Sequence, residues 1–489
     1  MAKNLNVRAS SPVAGLGRGR LTFVQVLAQS VSAVAPSAVM VTLPALVIPA
    51  AGRSTIGVFV AAALLMTLVG YCVAQFATRM IAVSGLYSYI AKGLGPRPGF
   101  AGGWSLVIGY ACAAMASILG AGSYSTALLG RLGVPSTTAS VALCAVVVGG
   151  FALALMIRGV QVSSRITLVV EAFAIVVAST VLVVAFVQSW HTEQQPRVLD
   201  DPSWTSSTVA FALLIAITSY VGFESASTVA REARNPLTAV PRAVKWTPLV
   251  LGALYAGAAY LQLAGPVHQS DSLTIVLALP PEAGGMSSEV ASALSVLVEF
   301  GILASWLACV MGSVTALSRT LFAMGREGVL PSALGRAHSR FQTPYVALLV
   351  AVPVVVAVPI GYLSISGSPH DVLMGLLAVS AHGYVIAYVL VCIATPAFLR
   401  RIGELTVAPL VFGPLAAAIM TALVVWAALS HTFFAGTATA VYIALMAVGA
   451  AVFLVRVARS RGRLQNVGVY DEPVADDLLM TYQPWEVRR

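Results

Sequence analysis

The sequence predicts an all-α polytopic membrane protein of twelve transmembrane helices. The first ten form a five-plus-five inverted repeat with discontinuous helices 1 and 6, and two further helices follow at the C-terminal end. Three observations carry this. Of 489 residues, 58% are hydrophobic and 9% charged, with mean hydropathy +0.90, and many apolar runs exceed the ~18 residues that mark a spanning helix. The loops between these runs are alternately rich and poor in Lys and Arg. The first and sixth runs are each interrupted midway, and paired interruptions in corresponding halves mark a transporter site.

Composition excludes several classes. Period-2 segments of an outer-membrane barrel are absent. The net charge of +10 sits in short loops, without the aromatic-basic interleaving or zinc spacing of a nucleic-acid binder. Cys72, Cys112, Cys144, Cys309 and Cys392 all fall inside expected spans, where a thiol behaves as a small apolar residue and no disulfide framework is indicated. HExxH, GxSxG and GxxxxGK are missing, so no enzyme is expected, and no cofactor or metal.

The spans are expected at 22–46, 56–78, 100–129, 137–157, 165–189, 206–228, 244–264, 290–322, 344–363, 371–397, 406–429 and 436–457. Loops 2–3, 4–5, 6–7, 8–9 and 10–11, and both ends of the chain, hold most of the Lys and Arg. The opposite loops carry only Arg53, Arg131 and Arg197. The positive-inside bias therefore puts both termini in the cytoplasm and implies an even span count. The expected units are a cytoplasmic N-terminal tail (1–20), the first five-helix repeat (21–190), the second, inverted repeat (205–398), helices 11 and 12 (406–458) and a weakly ordered cytoplasmic tail (459–489).

Span 1 is small and polar at its middle, Ser32, Ala33, Val34, Ala35, Pro36 and Ser37. Pro36 removes a donor and frees a carbonyl one turn earlier. The segment 84–104, rich in glycine and aromatics, predicts a short interfacial helix leading into span 3. Span 6 runs apolar to Val221 and then presents Gly222, Phe223 and Glu224. A carboxylate at that depth costs about 2.5–3.5 kcal/mol on insertion scales unless it finds a partner, a proton or a wet cavity. The loop 265–289 is long enough for an external lid or a free surface loop. The basic stretch 318–344 is expected against the inner leaflet.

A discontinuous helix offers amide donors at one broken end and carbonyl acceptors at the other. A zwitterionic amino acid suits this, its carboxylate on the amides of span 1 and its ammonium on carbonyls of spans 1 and 6, with Ser32, Ala33, Val34, Ala35, Ser37, Val221 and Gly222 around it. Tyr220 and Phe223 are expected to close over the substrate and to add cation–π attraction; plain interhelical packing is the alternative. Of the acids within spans, Glu224 either braces the break or carries a proton. Glu299, about a dozen ångströms from the outer end of span 8, faces the cavity and favours a cation. Glu171 lies near the inner end of span 5, at the interface or paired with Arg165. His382 in span 10 is pH-responsive or merely hydrogen-bonded.

Three blocks of residues resemble the amino acid–polyamine–organocation permeases. The first reads Ser84, Gly85, Tyr87, Gly95, Pro96, Gly99, Phe100, Gly103 and Trp104. The second reads Tyr220, Gly222, Phe223, Glu224, Glu232, Asn235, Pro236, Pro241, Arg242 and Ala243. The third reads Arg319, Ala323, Arg326, Glu327, Gly328, Pro331, Thr343 and Pro344. The resemblance implies a secondary active transporter with the same five-plus-five fold, carrying amino acids or amines such as polyamines across the cytoplasmic membrane by alternating access. Its partners would be the substrate, a proton or an exchanged substrate, and the lipid bilayer, with no nucleic acid. Proton symport is the expected mode; an exchanger (antiport) of the same fold is the alternative, and a channel, lacking any repeated filter, a more distant one. In well-studied members, span 1 carries glycine amides that hold the substrate carboxylate. This chain has Pro36 there, which contributes no N–H. Some members use a span 5 lysine in place of sodium; the nearest ionisable residue here is Glu171. Oligomeric state is not encoded in any of these features.

Overall fold

The computed structural model describes residues 13–191, 206–263, 267–269, 275–277, 288–429, 436–459, 467–468 and 471. Within them the chain is almost entirely helical. In order the helices are α1 (Phe23–Ser32), α2 (Pro36–Ala51), α3 (Thr55–Ala77), α4 (Leu86–Leu94), α5 (Pro96–Gly130), α6 (Thr138–Arg158) and α7 (Val160–His191). There follow α8 (Ser206–Thr218), a 3-10 segment (Phe223–Glu232), α9 (Pro236–Leu263), α10 (Ser288–Arg326), α11 (Tyr345–Ser366), α12 (Pro369–Ile402), α13 (Val407–Leu429) and α14 (Thr437–Arg459). Among the described residues, ten stretches are long and apolar enough to cross a membrane. The first of them, Phe23–Ala77, runs through α1, α2 and α3, while α9, at the position expected for span 7, is not among them.

The packing is that of a protein whose solvent is lipid. Apolar side chains such as Leu143, Val147, Val176, Leu410, Ile443 and Leu454 are exposed, whereas Ser30, Ser37, Ser305, Glu224 and Arg319 are buried. Backbone groups freed inside such a bundle must be satisfied internally. Pro44 within α2 illustrates this: it removes the donor for the Met40 carbonyl, and Gln262 Nε2 of α9 donates to that oxygen at 2.7 Å. The start of α1 is fixed by a capping box in which Gln25 N donates to Thr22 Oγ1 and Thr22 N donates to Gln25 Oε1.

Four expectations need correction. The segment after span 2 does form a helix, α4, but Leu86, Tyr87, Tyr89 and Ile90 are fully buried, so it packs inside the bundle rather than in the headgroups. The GFAGGW block belongs to the first turns of α5. The basic stretch 318–344 does not simply lie on the leaflet, because Arg319 and Glu327 are buried. The tail is not detached throughout, since Asp471 is buried and its N–H donates to the Ile81 carbonyl at 2.9 Å. Arg319, Glu327 and Asp471 each found an internal partner that hydropathy could not reveal. Of the loop 265–289, the strands β1 (Val267–Gln269) and β2 (Ile275–Leu277) pair antiparallel with His268 opposite Val276. The rest of that loop lies outside the described residues.

Candidate functional site

The two breaks meet. Between α1 and α2, Ala35 adopts left-handed backbone geometry (φ 55°, ψ 57°). The following proline disfavours the right-handed helical region for this residue, and the left-handed region costs a non-glycine residue about 1–2 kcal/mol. Between α8 and the 3-10 segment, Gly222 takes φ 100°, a value that favours glycine. Ala33 is wedged between Gly222 and Gly312 of α10. A Cβ on Gly222 would stand 2.9 Å from the Ala33 carbonyl oxygen, and one on Gly312 only 2.7 Å from the Ala33 nitrogen. Three backbones therefore touch where two helices are interrupted. Ser30 Oγ donates to the Phe223 carbonyl, Ser225 Oγ donates to the Gln29 carbonyl at 2.9 Å, and Gln29 Nε2 donates to the Gly312 carbonyl at 2.9 Å.

This contact yields a prediction. Gly312→Ala places a methyl group against backbone that cannot yield, at a cost of about 1–3 kcal/mol for overpacking. A lower unfolding temperature in detergent and reduced uptake are expected; wild-type values for both would mean that the three backbones do not touch.

Each break is braced by a carboxylate. Glu224, fully buried, accepts from Tyr110 Oη of α5 at 2.8 Å and from Tyr388 Oη of α12. The same Tyr388 oxygen accepts the Gly222 N–H at 3.4 Å. Expected at the interface or paired with Arg165, Glu171 is placed elsewhere by the structure. It is 2% exposed at the start of α2, where its Oε1 accepts from Ser37 N at 3.1 Å, Ser37 Oγ at 3.0 Å and Ser305 Oγ at 3.0 Å. The long helix α7 passes beside the break, and a one-turn uncertainty in register hid this.

Beside the breaks lies a cavity of about 80 Å³, lined among others by Ala33, Val34, Val39, Leu43, Ser117, Val221, Trp306, Cys309, Leu373 and Leu377. Of the expected substrate residues, Ala33, Val34 and Val221 line it. Ser32 and Ser37 turn inward instead, Ser32 Oγ donating to the Gln29 carbonyl at 3.4 Å. Ala35 and Gly222 shape the backbone without lining it. The expected gate residues are also elsewhere. Tyr220 Oη donates to the Phe59 carbonyl at 3.2 Å, and Phe223 lies 5.7 Å from the Tyr388 ring. Both are interhelical packing. Glu299 is engaged by Arg131, whose Nη2 lies 2.7 Å from its Oε1, and it does not line the cavity. His382 Nδ1 sits 2.7 Å from the Ala378 carbonyl, and the ring stacks on Tyr442. Trp306, Cys309 and Ser305 of α10, and Tyr110 and Tyr388, escaped the sequence reading. Polar aromatics in mid-span were the available signal for the two tyrosines.

The end of the bundle that carries the N-terminal segment is closed. Leu21 bridges Ala233 in parallel, Arg20 N and Leu21 N donate to the Glu232 carbonyl at 2.6 and 2.7 Å, and Arg234 N donates to the Leu21 carbonyl at 2.9 Å. Arg319 grips Glu232 with both Nε and Nη2, at 3.1 and 2.6 Å. Tyr87 Oη donates to Glu327, and burial, with that carboxylate, pushes the Tyr87 phenol well above its usual range.

The sequence profile of the amino acid permease family matches residues 25–466. The chain is 26% identical over 303 residues to the branched-chain amino acid permease BcaP of Bacillus subtilis, a match covering 59% of this chain and 63% of that protein. It is 28% identical over 348 residues to the methylthioribose transporter of the same organism, covering 67% and 71%. It is 25% identical over 305 residues to the low-affinity putrescine importer PlaP of Escherichia coli K12, covering 60% and 63%. The chain thus spans just under two thirds of the length of the permease BcaP. All three of these relatives are transporters rather than enzymes. A solved manganese transporter of Eremococcus coleocola shares the fold, with a TM-score of 0.53 at 15% identity, covering 90% of this chain and 95% of that one.

Proposed function

The chain belongs to the amino acid permease family, and from that premise we propose that it is a secondary transporter carrying amino acids or related organic amines across the cytoplasmic membrane by alternating access, coupled to protons. The observation that carries this reading is the meeting of two helix breaks at Ala33, Gly222 and Gly312, beside a cavity. Broken helices expose peptide dipoles at membrane depth, where a small polar solute otherwise has no partner. Residues 21–190 and 205–398 serve as the two inverted repeats, with α13 and α14 appended. The positive-inside bias of the loops supports a cytoplasmic side for both termini. In that orientation the layer around Arg319 and Glu232 closes the inner side while the cavity lies beyond it, toward the outside. Glu224 is the group placed to brace the break or carry the proton.

The test is transport in proteoliposomes. A carrier saturates, and preloaded unlabelled substrate accelerates entry of labelled substrate. A pH gradient should drive accumulation. Accelerated exchange without pH-driven accumulation would favour the exchanger. Flux that neither saturates nor responds to preloading would favour a channel and sink the carrier reading.

A further inference from the structure

We infer that Glu171 occupies the place of a substrate carboxylate, so that the site accepts an organic amine bearing no carboxylate of its own. This assignment rests on the carrier reading and narrows its substrate class.

The donors at the start of α2 are already committed. Pro36 has no N–H. Ser37 N donates to Glu171 at 3.1 Å, Ala38 N donates to Ser305 Oγ at 3.3 Å, and Val39 N donates to the Ala35 carbonyl at 2.9 Å. A carboxylate is the group that a helix N-terminus favours, and here the protein supplies it. A second carboxylate beside Glu171 would find no free amide at this end and would meet a like charge in a poorly screened interior.

What the break offers instead is acceptors. In a continuous helix the N–Hs of Ser37 and Ala38 would bond the carbonyls of Ala33 and Val34. Their diversion to Glu171 and Ser305 releases both carbonyls, and both residues line the cavity. The Ala33 carbonyl is approached by the Cys309 thiol at 3.2 Å, a weak donor. The cavity hydroxyls point the same way. Thr42, Ser117, Thr218 and Ser380 donate to the carbonyls of Ala38, Ala113, Ile215 and Gly109 at 2.8, 2.8, 2.6 and 2.9 Å. Their protons are used, and their lone pairs remain. Donors in the lining are the Trp306 indole N–H, which has no partner and carries no charge, the Tyr124 hydroxyl and the His370 ring. Glu171 is not among the residues that line the cavity; it stands behind the lining at the start of α2, with Oε2 buried and without a hydrogen-bond partner. No Lys or Arg lines the cavity among the described residues, and its walls include Val39, Leu43, Leu46, Leu373, Met374 and Leu377. An ammonium donates three hydrogen bonds and accepts none. Acceptors around a greasy wall therefore select an ammonium on an apolar body.

Matched pairs differing only in the carboxylate test this: leucine against isopentylamine, and phenylalanine against phenethylamine. Purified protein is assayed by thermal shift, and proteoliposomes by counterflow. The amine of each pair is expected to raise Tm and exchange at least about tenfold better than its amino acid, the scale set by losing one charge-assisted bond. Preference for the amino acids would overturn the inference and leave the carrier reading standing. Saturable counterflow by neither member of any pair would overturn both. Glu171→Ala, which frees the Ser37 N–H, should shift the amine-to-amino-acid ratio about tenfold toward the amino acid; an unchanged ratio in folded protein overturns the role given to Glu171. If that variant does not fold, Glu171→Gln replaces it. The glutamine keeps an acceptor on Ser37 and loses the charge, so amine exchange should fall while the amino acids stay excluded. Wild-type amine exchange by this variant would overturn the inference equally.

Discussion

Glu224→Gln is expected to lower uptake by roughly 5- to 150-fold, the equivalent of about 1–3 kcal/mol. The side chain is fully buried and holds two tyrosine hydroxyls, Tyr110 on α5 and Tyr388 on α12, across the break between α8 and the 3-10 segment. Hydrogen bonds to an ionised acceptor are worth about 1.5–3 kcal/mol, against 0.5–1.5 for neutral pairs. Glutamine preserves the shape and keeps one acceptor, but it must turn an amide N–H₂ toward one of the phenols. Because Tyr388 also receives the Gly222 N–H, the weakened bond is felt where the backbone leaves the helix. Two assays separate the roles of the carboxylate. If Glu224 carries the proton, pH-driven accumulation collapses while counterflow survives. If it braces the break, both fall together. Near-normal uptake at wild-type expression would remove Glu224 from either role.

The second large effect is expected at the ion pair between Arg319 and Glu232, whose side chains are 3% and 2% exposed. The guanidinium engages both carboxylate oxygens, the bidentate geometry that gives Arg–carboxylate pairs their strength. Arg319→Ala leaves Glu232 charged, buried and alone, and breaking a buried pair from one side costs about 3–5 kcal/mol. Arg319 lies in the last turns of the site helix α10, which ends at Arg326, and Glu232 ends the 3-10 segment that follows Gly222. The loss should therefore open the end of the bundle that is closed here. A cysteine at Ser225 is expected to become reactive to a polar thiol reagent in Arg319→Ala. The double exchange Arg319→Glu with Glu232→Arg should recover part of the protection, whereas Arg319→Lys should recover little, because a lysine cannot form the fork. If Arg319→Ala leaves both Tm and cysteine protection at wild-type values, the pair does not hold this end shut.

The overall class was written in the composition and periodicity. Lipid-facing surfaces must be apolar whatever their neighbours, so membrane-length runs betray themselves. Pro36 and Gly222 announced the two breaks because each carries its backbone constraint wherever it is placed. Glu224 stood out because a carboxylate after an apolar run demands a partner. The partner itself, a pair of tyrosines from spans far away in the chain, was invisible in any single segment.

Side-chain direction within the bundle was not legible in the same way. Hydropathy carries no information on which flank of a helix meets a cavity and which meets another helix. Tyr220 and Phe223 flank the break in sequence but turn away into packing, and Glu299 is neutralised by Arg131 from a loop. Glu171 shows the limit most plainly. As a sequence feature it was a stray acid near the end of a span; in the fold it caps a broken helix 134 residues earlier in the chain. That this is a polytopic helical membrane protein with two interrupted spans follows residue by residue, because the cost of polar groups in hydrocarbon acts on each one separately. Which charge meets which dipole is settled in the packed bundle alone, because it depends on the rotation and register of neighbouring helices, to which local composition is indifferent.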